Sequence, residues 1–278
     1  MINKINFSSK FKLANIFSLI IFLTSIIFIT FKGLNYGIDF KGGTLIELRS
    51  TNTDASAIRS LLINMNLGDV NVKKFGQEGD YLIKVEQKEN NDNKIIPQIK
   101  KTLSDNLNTK INFRRVENVG PKVSVELLKS GIIAISLSLA AMLFYIWIRF
   151  EWQFSVGAIV ALFHDIVITL GIFSVLSLEI NLSIIAAVLT IVGYSMNDTV
   201  VIYDRIRENL NKYNRLNMNE IANLSINDTL DRTIITSATT LLALLSIFIL
   251  GGEILRGFSF AMILGVIIGT YSSIFVAS

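Results

Sequence analysis

Six long apolar runs limit what this sequence can fold into. A bilayer core about 30 Å thick is crossed by roughly 20 apolar residues of α-helix. Hydrophobic residues make up 51% of the chain and charged residues only 17%. Most of the chain is therefore expected to lie in the membrane, and only a small part of it can form a soluble domain. The sequence therefore predicts a polytopic α-helical membrane protein with six transmembrane helices, at Leu13–Phe31, Leu127–Ile148, Ser155–Leu176, Leu182–Tyr203, Thr233–Leu250 and Gly257–Ala277.

Basic residues predict the orientation of these helices, because loops rich in Lys and Arg stay on the cytoplasmic side. Loops expected on one side contain Lys4, Lys10, Lys12, Arg149, Arg205, Arg207, Lys212, Arg215 and Arg232. The short loops expected on the other side contain one basic residue, Arg256. The N-terminus is therefore predicted to be cytoplasmic. The first run is longer than the apolar part of a usual signal peptide and no A-x-A-type site follows it, which favours an uncleaved anchor.

The stretch between the first two runs reads as a small external domain. Period-2 alternation and helical spacing predict six elements in the order β-α-β-β-α-β, which is a ferredoxin-like α+β unit. These elements are 43–50, 54–66, 70–75, 80–87, 95–107 and 110–118. The predicted division is 1–32 for the inner N-terminus and first transmembrane helix, 33–122 for the external domain, and 123–278 for a five-helix bundle with an inner-face connector at about 204–231.

Small residues recur every four positions in two predicted spans, which lets membrane helices pack closely. In the last span the row contains no ionisable residue, so ordinary helix packing is the expected role. The row in the third span differs because it continues into a carboxylate, Asp165, with His164 beside it. The two rows are Gly257, Ala261, Gly265 and Gly269, and Gly157, Ala161, Asp165 and Thr169.

Polar residues also mark the fourth and fifth spans. Asp198 lies inside an apolar run, and a central acidic residue costs a few kcal/mol of insertion free energy. A carboxylate that is neutral in one conformation and paired with Arg232 in another could carry a proton. A static ion pair between two helices is the alternative, and for His164 the alternative is a packing histidine. The polar residues on these two spans are Thr190, Tyr194, Asn197, Asp198, Arg232, Thr236 and Thr240.

Five motifs occur in order along these six spans and resemble the SecF family of protein translocase subunits. The resemblance covers nearly the whole chain. It implies that the chain forms one half of an RND-superfamily bundle and that SecD forms the other half. This complex would associate with the SecYEG channel and often with YajC. The motifs are YGIDFKGGT (36–44), VGPKVSVEL (119–127), ALFHDIVITLG (161–171), VGYSMNDTVVIYDRIREN (192–209) and LDRTIITSATTLLAL (230–244).

The same resemblance implies a function. Such a subunit uses the proton-motive force to promote export of unfolded polypeptides across the bacterial cytoplasmic, or inner, membrane, with residues 33–122 in the periplasm. Protons would be the coupling ion, with sodium as the alternative, and no metal or organic cofactor is expected. No nucleic-acid partner is expected either, since the net charge of +4 is explained by the topology.

Residue roles follow from the resemblance as well. It places the membrane carboxylate of the family at Asp198, the essential arginine at Arg232, and a His-Asp pair at His164 and Asp165. Asn197, Tyr194 and Thr236 are expected to support this proton relay on the separate ground of their spacing from Asp198 and Arg232 along the two helices. A signature formed by Asp39, Gly42, Gly43 and Gly120 is expected to be structural or to act as a hinge, because glycine suits turns and close backbone approach.

Two other classes of function fit less well. A half-module of an RND-type exporter for small molecules or lipids would share the proton site, but the 33–122 stretch is short for a substrate pocket plus a docking surface. An intramembrane enzyme would need paired aspartates, a Ser-His pair or an HExxH motif, none of which is recognisable. The sequence ends at Ser278, within or just past the sixth span, which is expected of either a short protein or a fragment.

Overall fold

The computed structural model describes residues 5–50, 53–65, 67–86, 92–107, 109 and 111–278. It forms two compact units. One comprises the described residues of Met1–Asn35 together with Ile133–Glu179 and Ser183–Ser278, and the other comprises those of Tyr36–Ile132 together with Ile180–Leu182.

The described residues form the following helices and strands. In chain order the helices are α1 (Phe11–Phe31), α2 (Ile38–Lys41), α3 (Ala55–Ile63), α4 (Asp92–Asn106), α5 (Pro121–Arg149), α6 (Trp152–Val175), α7 (Leu182–Lys212), α8 (Met218–Leu250) and α9 (Gly252–Phe275). The strands are β1 (Asn35–Tyr36), β2 (Gly43–Ser50), β3 (Val70–Lys74), β4 (Asp80–Val85), β5 (Ile111–Val119) and β6 (Glu179–Ile180).

Six helices in the described part of the chain are long and apolar enough to cross a membrane, namely α1, α5, α6, α7, α8 and α9. The predicted six-helix architecture is therefore confirmed. Burial differs among them. About half of the most apolar segment of α6, α7 and α9 is buried (56%, 50% and 50%), against 11%, 11% and 17% for α1, α5 and α8. The interior of this unit is consequently built from α6, α7 and α9.

Close packing between α7 and α9 depends on the row of small residues in α9. A Cβ atom at Gly265 would lie 2.2 Å from Ile191 Cγ1, and one at Gly269 would lie 3.1 Å from Ser195 Cβ. A side chain at Gly265 would therefore clash with its neighbour on α7. The packing role predicted for this row is confirmed.

The connector predicted at about 204–231 consists of the ends of two long helices. α7 continues past Tyr203 to Lys212, and α8 already begins at Met218. A capping box starts α8, in which the Asn217 side chain accepts from Glu220 N and the Glu220 side chain accepts from Asn217 N, both at 2.9 Å. No glycine or proline occurs between Tyr194 and Leu250, so both helices extend beyond their apolar segments.

The second unit contains a four-stranded sheet of order β3-β4-β2-β5, in which the neighbouring strands are antiparallel. Together with α3 and α4 this is the predicted ferredoxin-like arrangement, which is confirmed. Its core is built around Ile46 and Leu48 on the central strand β2, packed with Ile58, Leu62 and Ile83. The predicted element ends at Asn66, Gln87 and Lys110 lie outside the described residues.

Candidate functional site

Asp165 is the most enclosed charged residue of the predicted relay. It lies on α6, is 0% exposed, and both of its carboxylate oxygens have hydrogen-bond partners. Oδ1 lies 2.9 Å from His164 Nδ1. Oδ2 accepts hydrogen bonds from Ser195 Oγ on α7 and Ser272 Oγ on α9, each at 2.7 Å. One carboxylate therefore joins three helices.

His164 is buried beside it and has one ring nitrogen engaged. Its ring stacks on Phe22 of α1, with centroids 6.3 Å apart and planes inclined by 8°. Nε2 is buried and has no hydrogen-bond partner within the described chain. The ring and the carboxylate therefore form one buried, hydrogen-bonded pair on α6. The roles of proton relay and of packing histidine both stay predictions for His164.

Asp198 is also buried but is less well satisfied. It lies on α7, is 2% exposed, and its Oδ2 has no hydrogen-bond partner within the described chain. An unpartnered carboxylate oxygen in an apolar interior carries a desolvation penalty, which is removed by a proton or by an approaching cation. The local environment of Asp198 therefore suits a group that gains and loses a proton.

Arg232 lies on α8 and its side chain is exposed. No ion pair with a nitrogen–oxygen distance of 4.0 Å or less joins these two described residues. The structure therefore places the predicted partners on α7 and α8 of one helical unit without an ion pair between them, and their pairing stays a prediction.

The supporting polar residues fall into two groups. Tyr194 OH donates to Ser237 Oγ at 3.2 Å, and Ser237 Oγ lies 2.7 Å from Thr270 Oγ1, so these hydroxyls link α7, α8 and α9. Thr236 instead bonds to its own helix, through the backbone oxygen of Arg232 at 2.9 Å. Asn197 is exposed on α7. Of these residues, the structure brings Tyr194 into a network between helices.

The glycine signature lies in the second unit. Gly42 and Gly43 have φ values of 81° and 140°, and a Cβ atom at Gly43 would lie 2.4 Å from Val85 O. Only glycine fits there without strain. The Asp39 side chain accepts the backbone N–H of Leu182, the first residue of α7, at 2.8 Å. Gly120 O accepts from Ser124 N in the first turn of α5, at 3.0 Å.

Sequence reasoning missed Ser195 and Ser272. Serine is common at the packing faces of membrane helices, so the residue type alone does not indicate a contact with a carboxylate. One signal was available for Ser195, which lies three residues before Asp198 and hence on the same helix face. For Ser272 the row of Gly265 and Gly269 drew attention to packing, although Ser272 lies on the turn that follows Gly269.

Two family models match the chain. The family described as "Protein export membrane protein SecD/SecF, C-terminal" matches residues 99–278, and the "SecD/SecF GG Motif" matches residues 27–54. The first match includes Asp165, Asp198 and Arg232. The second includes the signature residues Asp39 to Gly43. Together the two matches include residues of both units of the fold.

Individual proteins with similar sequences bear the same family name. The protein translocase subunit SecF of Rickettsia bellii (strain OSU 85-389) is 48% identical over 280 residues, covering 99% of this chain and 92% of the relative. The SecF of Rickettsia prowazekii (strain Madrid E) is 46% identical, covering 99% and 90%. These relatives therefore correspond to the chain over nearly their full length.

Solved structures agree with the sequence matches. The crystal structure of SecDF, a translocon-associated membrane protein from Thermus thermophilus, has a TM-score of 0.88 and 35% identity, covering 99% of this chain and 38% of its own. A crystal structure of SecDF in the super-membrane-facing form has a TM-score of 0.73 and 34% identity, covering 100% and 38%. The chain thus spans about two fifths of those SecDF chains. On this evidence it belongs to the SecD/SecF family of protein export membrane proteins, within the group of protein translocase subunits SecF.

Proposed function

We propose that this multi-pass membrane protein works with SecD and uses the proton-motive force to promote protein export across the bacterial cytoplasmic membrane. The observation that carries the proposal is Asp198, a carboxylate that is 2% exposed and has a buried oxygen without a partner in the described chain. Buried ionisable groups in membrane helices are costly, and they mark ion pathways in pumps and transporters.

The proposed proton transfer uses Asp198 in two states. A proton that enters from the periplasmic side binds the unpartnered carboxylate and neutralises it. When the helices rearrange, the proton leaves toward the cytoplasm and the ionised carboxylate is stabilised by the opposite charge of Arg232. His164 and Asp165 form a second place where one proton can reside, because Nδ1 and Oδ1 lie 2.9 Å apart. The proton is the proposed coupling ion, with sodium as the alternative.

SecD is the proposed partner within the membrane. The exposed faces of α7 and α8 contain polar side chains, including Thr190, Asn197, Arg232 and Thr239. Such groups are unfavourable against lipid and favourable against a protein partner with polar groups of its own. The SecDF chains that match this fold are longer than this chain, which covers 38% of them, and so contain further regions to supply such a surface.

The proposed topology places the N-terminus in the cytoplasm and residues 33–122 in the periplasm. Charged residues at one end of the helical unit support it, because Arg149 Nη2 lies 3.0 Å from Asp204 Oδ1 and Arg205 Nη2 lies 2.8 Å from Asp228 Oδ2. A basic, charged helix end is typical of the cytoplasmic side. SecYEG, YajC and the unfolded exported polypeptide are the further partners that we propose from the family resemblance.

The test is export of a precursor into inner-membrane vesicles that contain SecYEG, SecD and either this chain or none. We expect the chain to stimulate export only while the proton gradient is present, so a protonophore should abolish the stimulation. A sodium ionophore should leave it unchanged. Stimulation that survives collapse of both gradients would overturn the proposal, and loss with the sodium ionophore alone would replace the proton with sodium.

A further inference from the structure

Two serine hydroxyls from different helices converge on one oxygen of Asp165. Ser195 on α7 and Ser272 on α9 both donate to Oδ2 at 2.7 Å, and these residues are 1% and 0% exposed. Ser272 Oγ also lies 3.2 Å from Gly269 O of its own helix, so the shorter contact is the one to the carboxylate. Hydrogen bonds to an ionised acceptor are roughly twice as strong as bonds between neutral groups.

A glycine in α9 lets α7 approach closely enough for this contact to form. Gly269 lies one turn before Ser272, and a Cβ atom there would lie 3.1 Å from Ser195 Cβ. A larger residue would push α7 and α9 apart at the level where the hydroxyls meet Asp165. The glycine and the two serines therefore act together at one level of the bundle.

We propose that Ser195 and Ser272 are positioning residues that hold α7 and α9 against Asp165 and so fix the position of the helix that bears Asp198. Ser195 precedes Asp198 by three residues, which puts the two side chains on one face about 5–6 Å apart at Cβ. A small shift of α7 relative to Asp165 therefore moves Asp198 as well. This inference rests on the proposed function, in which Asp198 exchanges the proton.

The strength of this contact depends on the ionisation of Asp165. An ionised oxygen accepts both hydroxyls, whereas the same oxygen with a proton becomes a donor and gives up at least one of them. The titratable group in contact with it is His164 on α6, whose ring stacks on Phe22 of α1, while α7 and α9 contact it through Ser195 and Ser272. Neutralising Asp165 thus weakens the hydrogen bonds that hold α7 and α9 against it. Asp165→Asn mimics the neutral form.

Ser273 provides a matched control. It neighbours Ser272 on α9, is also 0% exposed, and donates at 2.9 Å to Thr270 O of its own helix. Ser272→Ala and Ser273→Ala therefore remove the same atom from the same depth of the same helix. They differ in the partner that loses its hydrogen bond, which is a carboxylate in the first case and a backbone oxygen in the second.

The experiment is a double-mutant cycle on the purified complex with SecD, read out as the thermal midpoint Tm without any gradient. We expect Ser272→Ala to lower Tm about twice as much as Ser273→Ala. In the Asp165→Asn background the effect of Ser272→Ala should shrink to that of Ser273→Ala. Equal shifts for the two serine variants, or an undiminished effect of Ser272→Ala in that background, would overturn the proposal.

A second readout connects the contact to transport. In the vesicle assay the gradient-dependent part of export should fall more with Ser195→Ala and Ser272→Ala than with Ser273→Ala, and ATP-driven basal export should stay unchanged. Equal transport in all three variants would also overturn the proposal. The stability cycle needs no proton gradient, so failure of proton coupling at Asp198 and failure of this inference give different results.

Discussion

The Asp39 carboxylate accepts the backbone N–H of Leu182, the first residue of α7, at 2.8 Å. The first N–H groups of a helix lack partners within the helix, and a side-chain acceptor there stabilises it by about 1 kcal/mol. We expect Asp39→Ala to increase amide hydrogen exchange at Leu182 and the next residues of the first turn about fivefold. Asp39→Asn should leave exchange nearly unchanged, because an amide oxygen caps equally well.

The capping box of α8 is the control for this prediction. Asn217→Ala removes a comparable cap from a different helix, so exchange should increase at the start of α8 and stay constant at Leu182. An Asp39→Ala variant with unchanged exchange in the first turn of α7 would show that the contact contributes nothing to its stability.

Helix packing between α7 and α9 yields a prediction with a control in the same helix. A Cβ atom at Gly265 would lie 2.2 Å from Ile191 Cγ1, whereas one at Gly257 would lie 3.6 Å from Ile184 Cδ1, an ordinary contact. Gly265→Ala should therefore destabilise the complex by about 1–3 kcal/mol through overpacking. Gly257→Ala should be neutral or slightly stabilising, since alanine favours helix. Equal Tm values for the two variants would contradict the close packing.

The ferredoxin-like domain should depend on pH through Asp80. This side chain is buried, Arg49 Nε and Nη2 donate to it at 2.6 and 2.8 Å, and Arg114 Nη1 lies at 3.2 Å. The Arg49 guanidinium holds the pKa of Asp80 below its ordinary value. A carboxyl with a lowered folded pKa stabilises the fold fully above its unfolded pKa of about 3.9, and this contribution is lost as the pH falls through the folded pKa.

Asp80→Asn should accordingly lower the stability of the sheet at pH 7 by about 2 kcal/mol, since Arg49 loses its charged partner. Below pH 4 the difference between wild type and variant should narrow. Hydrogen exchange at the amides of β2, corrected for the intrinsic rate at each pH, measures both effects. A difference that stays constant down to pH 2 would contradict the role assigned to Asp80.

The features that could be predicted from sequence depend on patterns within one segment. Six apolar runs define the membrane helices, and period-2 alternation defines the sheet that contains Ile46 and Leu48. Asp198 and Asp165 stand out because carboxylates are rare in apolar runs. Each of these signals is local, so no knowledge of the tertiary arrangement was needed.

Features that depend on the rotation of one helix against another could not be predicted. Helical spacing puts Asp198 and Arg232 on defined faces of their own helices, but it does not say how far apart those faces lie. The same limit hid the convergence of Ser195 and Ser272 on Asp165. The sequence predicts a helical connector at about 204–231 because the apolar run ends at Tyr203, but it does not predict that α7 continues without a break to Lys212.

The most direct test of proton carriage by Asp198 is gradient-dependent export with Asp198→Asn, Arg232→Gln and the double variant, together with the Tm of each complex. Because no direct ion pair joins the two described side chains, Asp198→Asn should leave Tm nearly unchanged and abolish the stimulation by the proton gradient. The double variant should be equally stable and equally uncoupled. If Asp198→Asn lowered Tm by stranding the arginine and the double variant restored export, Asp198 would be half of a static ion pair and the account would be wrong.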